Sequence, residues 1–470
     1  MRSGIIILPI IVLLLNLILI NSNVMAAHYD TPTLNEASKN IVVKDFININ
    51  DTYVLVLPLR VIMILNEKFY TIVPRLEESL NMRFNTALYI LSNDSLVFAG
   101  VFNSKPFIGV IKRINTYGLG VHEVTIKVLM LDINGAINDI TLQSDNDIMF
   151  IGTVQVNDTK YGFYGYLALN DIVNPIMSAI NVSLIRGMDL MRIINCENRI
   201  YLISYQANAL ERSIKVSLLE YDRNSSNVLY YSTFNISCPE CVISPKLIVI
   251  PYYNNSLLIG IASNNKFSLK CLNISNQLLI SSTVVLKKPI TKLSLINAIG
   301  SSEVAILLRF NDLSKSLLIN LTGNTCKMIS LNKSVIAVIG MDKRILAIDL
   351  SGEGTPLTST LGESCVLSNV SYIIINGIPS RTRVLKSKLS ISQETTNLLI
   401  VTKQYSIKKG LVLTERYTTM LETDQKTLVF NATPIKLDEG VSRRTAGLLL
   451  IVVGFTLLVI YIVLRYHARV

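Results

Sequence analysis

The sequence is short of the residues that enzymes use for chemistry and that soluble domains use for solvation. Of its 470 residues only 3 are histidine and 16% are charged, against roughly 25% charged in an ordinary soluble domain. His28 and His467 lie near the two ends, so His122 alone is left for the middle of the chain. That scarcity excludes histidine-built zinc, copper or non-haem iron centres, and any Ser-His-Asp or Cys-His site that does not use His122. His122 itself follows Tyr117-Gly118-Leu119-Gly120 at the start of an expected strand, where a structural role is sufficient. Gly118 and Gly120 do not make a phosphate loop, because a third glycine, a lysine and a following helix are missing. Asp145-Asn146-Asp147 lacks the fuller oxygen set of a calcium loop. No metal and no cofactor are expected. Tryptophan is absent altogether, and with it every repeat signature built on that residue.

Apolar runs long enough to cross a bilayer occur only at the ends, although hydrophobic residues make up 50% of the chain. At the start, Met1 and Arg2 precede an apolar stretch from Ile5 to Ile20, and Val24-Met25-Ala26 has the small-residue pattern of a cleavage site. Residues 1–26 therefore read as a signal peptide, with an uncleaved anchor as the alternative. At the other end, residues 445–464 read as a transmembrane helix: the nineteen residues Ala446 to Leu464 would span about 28 Å. Basic residues flank it on both sides, so the signal peptide decides the orientation. Residues 27–442 are then expected outside the cell membrane, and residues 465–470 form a cytoplasmic tail too short for a signalling domain.

The net charge of +11 suggests a polyanion ligand until it is divided. Arg2, Arg443, Arg444, Arg465 and Arg469 lie at or beyond the terminal segments, which leaves 39 basic and 33 acidic residues for the outer region. Without a basic run interleaved with aromatics, no nucleic-acid partner is expected. The partners that remain are the membrane, through the C-terminal helix, and an extracellular protein or glycan ligand.

Cys196, Cys238, Cys241, Cys271, Cys326 and Cys365 all fall in the outer region, an even number suited to disulfides in an oxidising compartment. Their pairing is open. Cys238-Pro239-Glu240-Cys241 lacks the second cysteine pair or the histidines that a zinc site would need, which favours a local disulfide or two separate bridges. Acceptor sequons for N-glycosylation occur at Asn50, Asn93, Asn157, Asn181, Asn224, Asn235, Asn254, Asn273, Asn320, Asn332, Asn369 and Asn431. The 41 asparagines would give about six or seven by chance, so twelve is an excess. Glycans would also keep so apolar a chain in solution.

Between about residue 50 and residue 435 one texture recurs: five to nine residues rich in Ile, Leu, Val, Tyr and Phe, then a short Asn, Asp, Ser or Gly turn. These are strands joined by hairpins, as in Ile148 to Val156, the turn Asn157-Asp158, and Lys160 to Leu169. Pro74 to Asn81 and Asp171 to Ala179 are the expected short helices. The hairpins group in fours, and second strands begin near Leu96, Ile148, Ile200, Leu257, Val304, Ile345 and Leu398, at intervals averaging about 50 residues. Four-stranded units at that spacing resemble the blades of a β-propeller. The expected fold is all-β, a propeller-like ectodomain of about seven four-stranded blades, with an eighth if Val54 to Leu57 marks another. Tandem β-sandwiches are the alternative. No propeller family is indicated, since the tryptophan-based repeats and the double-glycine kelch signature are missing.

Two functional expectations follow. The leading one is a non-enzymatic, membrane-anchored, N-glycosylated cell-surface protein for recognition, adhesion or envelope assembly. The alternative is an anchored extracellular hydrolase using paired carboxylates on polysaccharide or peptide. Asp94, Asp145, Asp147, Asp158, Asp171 and Asp312 fall in expected turns, where turn chemistry alone explains them. Acids converging at the central opening would favour the hydrolase; an apolar or Asn/Ser-lined opening would favour binding.

Overall fold

The computed structural model describes residues 43–407, apart from short breaks at 50–51, 76–80, 145–146, 175–177, 197–198, 209, 223–226, 240–245, 253–255, 276, 300–302, 311–313, 321–324, 332–333, 342–343, 358–362, 366–370, 375–376 and 380–383. The expected signal peptide, membrane helix and tail lie outside the described residues. Among those residues no helix is long and apolar enough to cross a membrane.

The all-β class holds. Unit 1 is β1 (Asp45–Ile49), β2 (Thr52–Leu57), β3 (Arg60–Leu65) and β4 (Lys68–Pro74); unit 2 is β5 (Met82–Ile90), β6 (Ser95–Phe102), β7 (Lys105–Lys112) and β8 (Gly120–Leu131). Unit 3 is β9 (Gly135–Leu142), β10 (Asp147–Val156), β11 (Thr159–Ala168), then a five-residue helix α1 (Leu169–Val173), and β12 (Ala179–Arg186). Unit 4 is β13 (Arg192–Cys196), β14 (Arg199–Asn208), β15 (Ser213–Asp222) and β16 (Asn227–Ser237). Unit 5 is β17 (Lys246–Tyr252), β18 (Ser256–Ser263), β19 (Lys266–Asn273) and β20 (Leu278–Val285). Unit 6 is β21 (Lys292–Ala298), β22 (Glu303–Arg309), β23 (Ser314–Asn320) and β24 (Thr325–Leu331). Unit 7 has β25 (Val335–Met341), β26 (Arg344–Asp349) and β27 (Glu353–Leu357). Within each unit consecutive strands pair antiparallel.

The abundance of Asn and Asp has a local cause. The two-residue hairpins Asn66-Glu67, Asn103-Ser104 and Asn157-Asp158 hold both residues at positive φ, between 46° and 65°. Two-residue turns of that left-handed kind match the twist of the strands they join, and Asn tolerates the conformation best among residues with side chains.

Strand alternation divides the strands of each of units 1 to 6 between two cores. In β2, Tyr53, Leu55 and Leu57 enter a cluster shared with units 6 and 7, while Val54 and Val56 enter one shared with unit 2. In β18, Leu257, Ile259 and Ile261 face unit 4 while Leu258 and Ala262 face unit 6. Period-2 side chains on a sheet covered on both faces must be apolar at every position, which is why these strands read as continuous hydrophobic runs. Successive pairs of units share a core in this way, and one cluster joins units 6 and 7 to unit 1, where the Tyr53 hydroxyl donates to the Gly340 carbonyl at 2.6 Å. The sheets approach closely: a Cβ on Gly260 would stand 1.9 Å from Ile296 Cδ1 of the next unit.

After unit 7 the chain runs back along the others. β28 (Glu363–Cys365) adds a strand to unit 6, β29 (Ser371–Ile374) to unit 5 and β30 (Ile378–Pro379) to unit 4. The 21-residue β31 (Val384–Gln404) then pairs with β12 of unit 3, with β8 of unit 2 and with β4 of unit 1, merging three units into one 13-stranded sheet. Last, β32 (Ser406–Ile407) lies parallel to β27 of unit 7. This returning segment covers the outer edges, which would otherwise present unpaired backbone groups.

Two expectations are corrected. Leu96, Ile148, Ile200, Leu257, Val304 and Ile345 do lie in second strands, but Leu398 belongs to β31, and Val54 to Leu57 is the second strand of unit 1. A strand covered on two sides has the same apolar pattern whether it opens a unit or straps three of them. Of the expected helices, Pro74 ends β4 while 76–80 lie outside the described residues, and Asp171 to Val173 are helical while 175–177 lie outside the described residues and Ala179 opens β12.

Ile400 on β31 is fully buried in the core of units 1 and 2. Ile400→Ala should lower the free energy of urea unfolding by about 2–5 kcal/mol, and exposed Thr395→Ala on the same strand should change it by less than about 0.5 kcal/mol. Equal, small effects would mean that β31 is not integral to the core.

Candidate functional site

The first strands of units 1 to 6 converge on one cavity of about 620 Å³, bordered by β1, β5, β9, β13, β17 and β21. Most of its wall is aliphatic, from Ile47, Ile140, Ile193, Ile248, Leu295 and Ile296, which belong to strands already committed to apolar cores. Its charged groups, Lys44, Asp45, Asp139 and Arg192, lie together with Tyr205 on one polar side, and Asn48, Thr141 and Asn297 add neutral polar groups to the wall.

The polar side is a network across four units. Arg192 Nη1 of β13 lies 2.6 Å from Asp45 Oδ1 of β1 and 4.0 Å from Asp139 Oδ2 of β9, and Nη2 donates to the Lys44 carbonyl. The Thr86 hydroxyl of β5 stands between the two acids, 2.6 Å from Asp45 Oδ2 and 3.2 Å from Asp139 Oδ1. Backbone amides complete the set: Phe46 donates to Asp45 Oδ1, Ile140 to Asp139 Oδ1 and Ile193 to Asp139 Oδ2. Asp45 is 7% exposed, Asp139 6% and Thr86 not at all.

One guanidinium therefore faces two buried carboxyls, and one hydroxyl proton cannot serve both. A further proton on Asp139, donated back to the Thr86 oxygen, satisfies every group. Electrostatics point the same way: burial, then the charge of Asp45, push the Asp139 carboxyl up to about 7, against the opposing pull of Arg192 and the amides of Ile193 and Ile140. Burial works against charge on Arg192 as well, but Asp45 and Asp139 outweigh it and hold the guanidinium protonated. Burial also raises the Tyr205 phenol, so it remains a neutral donor.

None of these four side chains was singled out by sequence. The available signal was a charge inside a strand of a charge-poor chain, as in Ile137-Asn138-Asp139-Ile140. The turn acids are structural where described. Asp94 accepts from the Tyr89 hydroxyl and the Asn115 amide, Asp147 accepts from the Ser144 hydroxyl, and Asp158 sits at a hairpin tip; Asp145 and Asp312 lie outside the described residues. His122 is half-buried with its ring 5.4 Å from that of Tyr117 and Nε2 2.9 Å from the Gly118 carbonyl. Among the described residues no cluster of three metal-ligating side chains occurs.

Of the cysteines, Cys326 and Cys365 form a disulfide with Cα atoms 5.1 Å apart, fastening β28 to β24, and Cys238 is disulfide-bonded too. Cys196 ends β13, and Cys241 lies outside the described residues. Cys271 corrects the disulfide expectation: it is a free thiol on β19, packed into the core between units 5 and 6. Of the sequons, Asn157, Asn181 and Asn235 are exposed, Asn93 and Asn273 are half-buried, and Asn320 ends β23. Asn50, Asn224, Asn254, Asn332, Asn369 and Asn431 lie outside the described residues.

No protein-family model matches the chain, and no curated protein is significantly similar to it.

The Asp139 carboxyl has an ordinary value of 3.8 in the unfolded chain and about 7 in the fold, so folding takes up a proton between these limits. Its stabilising contribution is complete below about pH 4 and lost as pH rises through about 7. Thermal unfolding should show a fall in Tm from pH 5 to pH 8 that is steeper in the native chain than in Asp139→Asn. A steeper fall in the variant would reverse the assignment.

Proposed function

We infer that this chain is a membrane-anchored, N-glycosylated surface protein that binds an extracellular protein or glycan without chemically altering it. In this reading the seven units are the blades of a β-propeller, the cavity bordered by the first strands of units 1 to 6 lies at its central opening, and the returning segment straps the rim. Residues 1–26 direct export, residues 445–464 anchor the chain, and the globular region stands outside the membrane.

The observation that carries the non-enzymatic reading is that the two converging acids are already spent. Each oxygen of Asp45 and Asp139 accepts from Arg192, Thr86 or a backbone amide. A glycosidase pair must instead aim one acid at a leaving group and the other at an anomeric carbon or water. Here the acids tie four strands together, and the remaining wall is mostly aliphatic, as a binding site requires.

A hydrolase is the second reading, favoured by one specific feature. Two neighbouring carboxyls bound to one hydroxyl differ in proton affinity, and acid and nucleophile roles arise from such differences.

The discriminating experiment incubates the full-length protein, in detergent, with a panel of polysaccharides and peptides while reducing ends and free amines are measured. Binding without turnover is expected, with Asp45→Asn and Asp139→Asn no different in product release. Product formation abolished by either variant, with the fold retained, would establish the hydrolase. Protection of the globular region from protease added to one side only, with loss of mass on deglycosylation, tests the anchoring and glycosylation.

A further inference from the structure

A second cavity, of about 440 Å³, opens on the face of unit 3 that turns toward unit 4, within the range of about 300–1,000 Å³ that ligand pockets occupy. Its wall is built by register. Tyr164 on β11 is opposite Ser183 on β12, which is opposite Lys386 on β31; one step along, Tyr166 lies beside Asn181, which is opposite Lys388. Alternation places all six on one face of the sheet. Deeper on that face, Ile185 and Val384 pack into the core with Tyr221 of unit 4.

The wall is rich in donors. The hydroxyls of Tyr164, Tyr166 and Tyr221 are sealed from solvent behind it, so the donors that face the groove are Asn181, Ser183, Lys386 and Lys388. The Tyr221 ring packs 5.8 Å from that of Tyr164 and 5.7 Å from that of Tyr166. Burial keeps the phenols of Tyr164 and Tyr166 above their ordinary range, hence protonated. Lys386 and Lys388 are exposed, and neither pairs with a carboxylate among the described residues. Aromatic rings beside hydroxyl, amide and ammonium donors suit a ligand covered in hydroxyl oxygens, and the two ammonium groups favour one that also bears carboxylate or sulfate.

Asn181 opens the sequon Asn181-Val182-Ser183, and its exposed side chain lines this groove. Asn157 differs: it sits at the tip of the β10–β11 hairpin, where an attached sugar meets only solvent. A sugar on Asn181 starts inside the groove, and such tethering gives an effective concentration of about millimolar, enough for weak contacts to be occupied.

We propose that the glycan carried by Asn181 folds back into this groove, lined by β11, β12 and β31, and fastens β31 to β12 there. The proposal rests on the N-glycosylation reading above. Attachment joins Asn181 Nδ2 to the anomeric carbon of a sugar delivered on a lipid diphosphate, which leaves with the bonding pair while the amide proton passes to solvent.

The test uses the full-length chain made in a glycosylating host. Glycopeptide mass spectrometry first reads occupancy of Asn181; an unmodified Asn181 refutes the glycosylation reading at this position and removes the proposal with it. With Asn181 occupied, Asn181→Gln should lower Tm by on the order of 2 °C, and Asn157→Gln should leave it unchanged. The double variant Lys386→Glu/Lys388→Glu should lower Tm in the glycosylated protein and have no further effect when combined with Asn181→Gln, because groups in one contact network are not additive. An occupied Asn181 whose loss has no effect, or effects that simply add, would place the sugar in solvent and overturn the proposal.

Discussion

A sheet of three or four short strands cannot bury both of its faces alone, and nearly every other feature of this protein follows from that constraint. Tyr53 and Val54 are adjacent in sequence yet enter different cores, one shared with units 6 and 7 and the other with unit 2. Each unit is thus completed by its neighbours, and no unit has a polar face on which to end. The cluster that joins units 6 and 7 to unit 1 removes the exposed face that a linear stack would leave at each end. The proposed propeller is the arrangement in which this mutual covering closes.

Covering faces leaves edges. The first strands of units 1 to 6 border one cavity, and the last strand of each unit is paired by the returning segment from β28 to β32. That segment is attached early by the Cys326–Cys365 disulfide and is held further on by Leu398 and Ile400, both fully buried. Its pairing order, from unit 6 back to unit 1 and then unit 7, makes the most distant parts of the sequence neighbours. Such long-range pairing must await the sheets it joins, and it is costly in loop entropy until they exist.

This explains what was legible in the sequence. Local information was sufficient for the hairpins: Asn157-Asp158 fixes a left-handed two-residue turn, and the strands on both sides pair as their alternation requires. The four-strand grouping was readable for the same reason, since every pairing within a unit joins neighbours in sequence. Leu398 was misplaced because its apolar neighbours carry no mark that distinguishes a strap from a unit's own strand. Cys271 was misread for a related reason: a cysteine in a strand of a charge-poor chain is as suited to a core as to a bridge, and only its position between units 5 and 6 decides.

The central acids were invisible for a deeper reason. Asp45, Thr86, Asp139 and Arg192 come from four different units and acquire their meaning only when the first strands converge. The cost of burying two carboxyls and a guanidinium is offset by saturating them with one another and with backbone amides. That saturation also fixes register, because a one-residue slip of β1 or β9 would turn its acid away from the network and into an aliphatic core. The same groups that mark register are held in place by it, each carboxyl oxygen accepting at least one hydrogen bond from Arg192, Thr86 or a backbone amide. Catalysis at this position would require the network to break on ligand binding, exposing Arg192 to the loss of its partners within a low-dielectric wall. The architecture therefore uses its strongest electrostatics to hold the first strands of four units in register, and in the proposed binding reading the aliphatic wall beside them would meet the ligand.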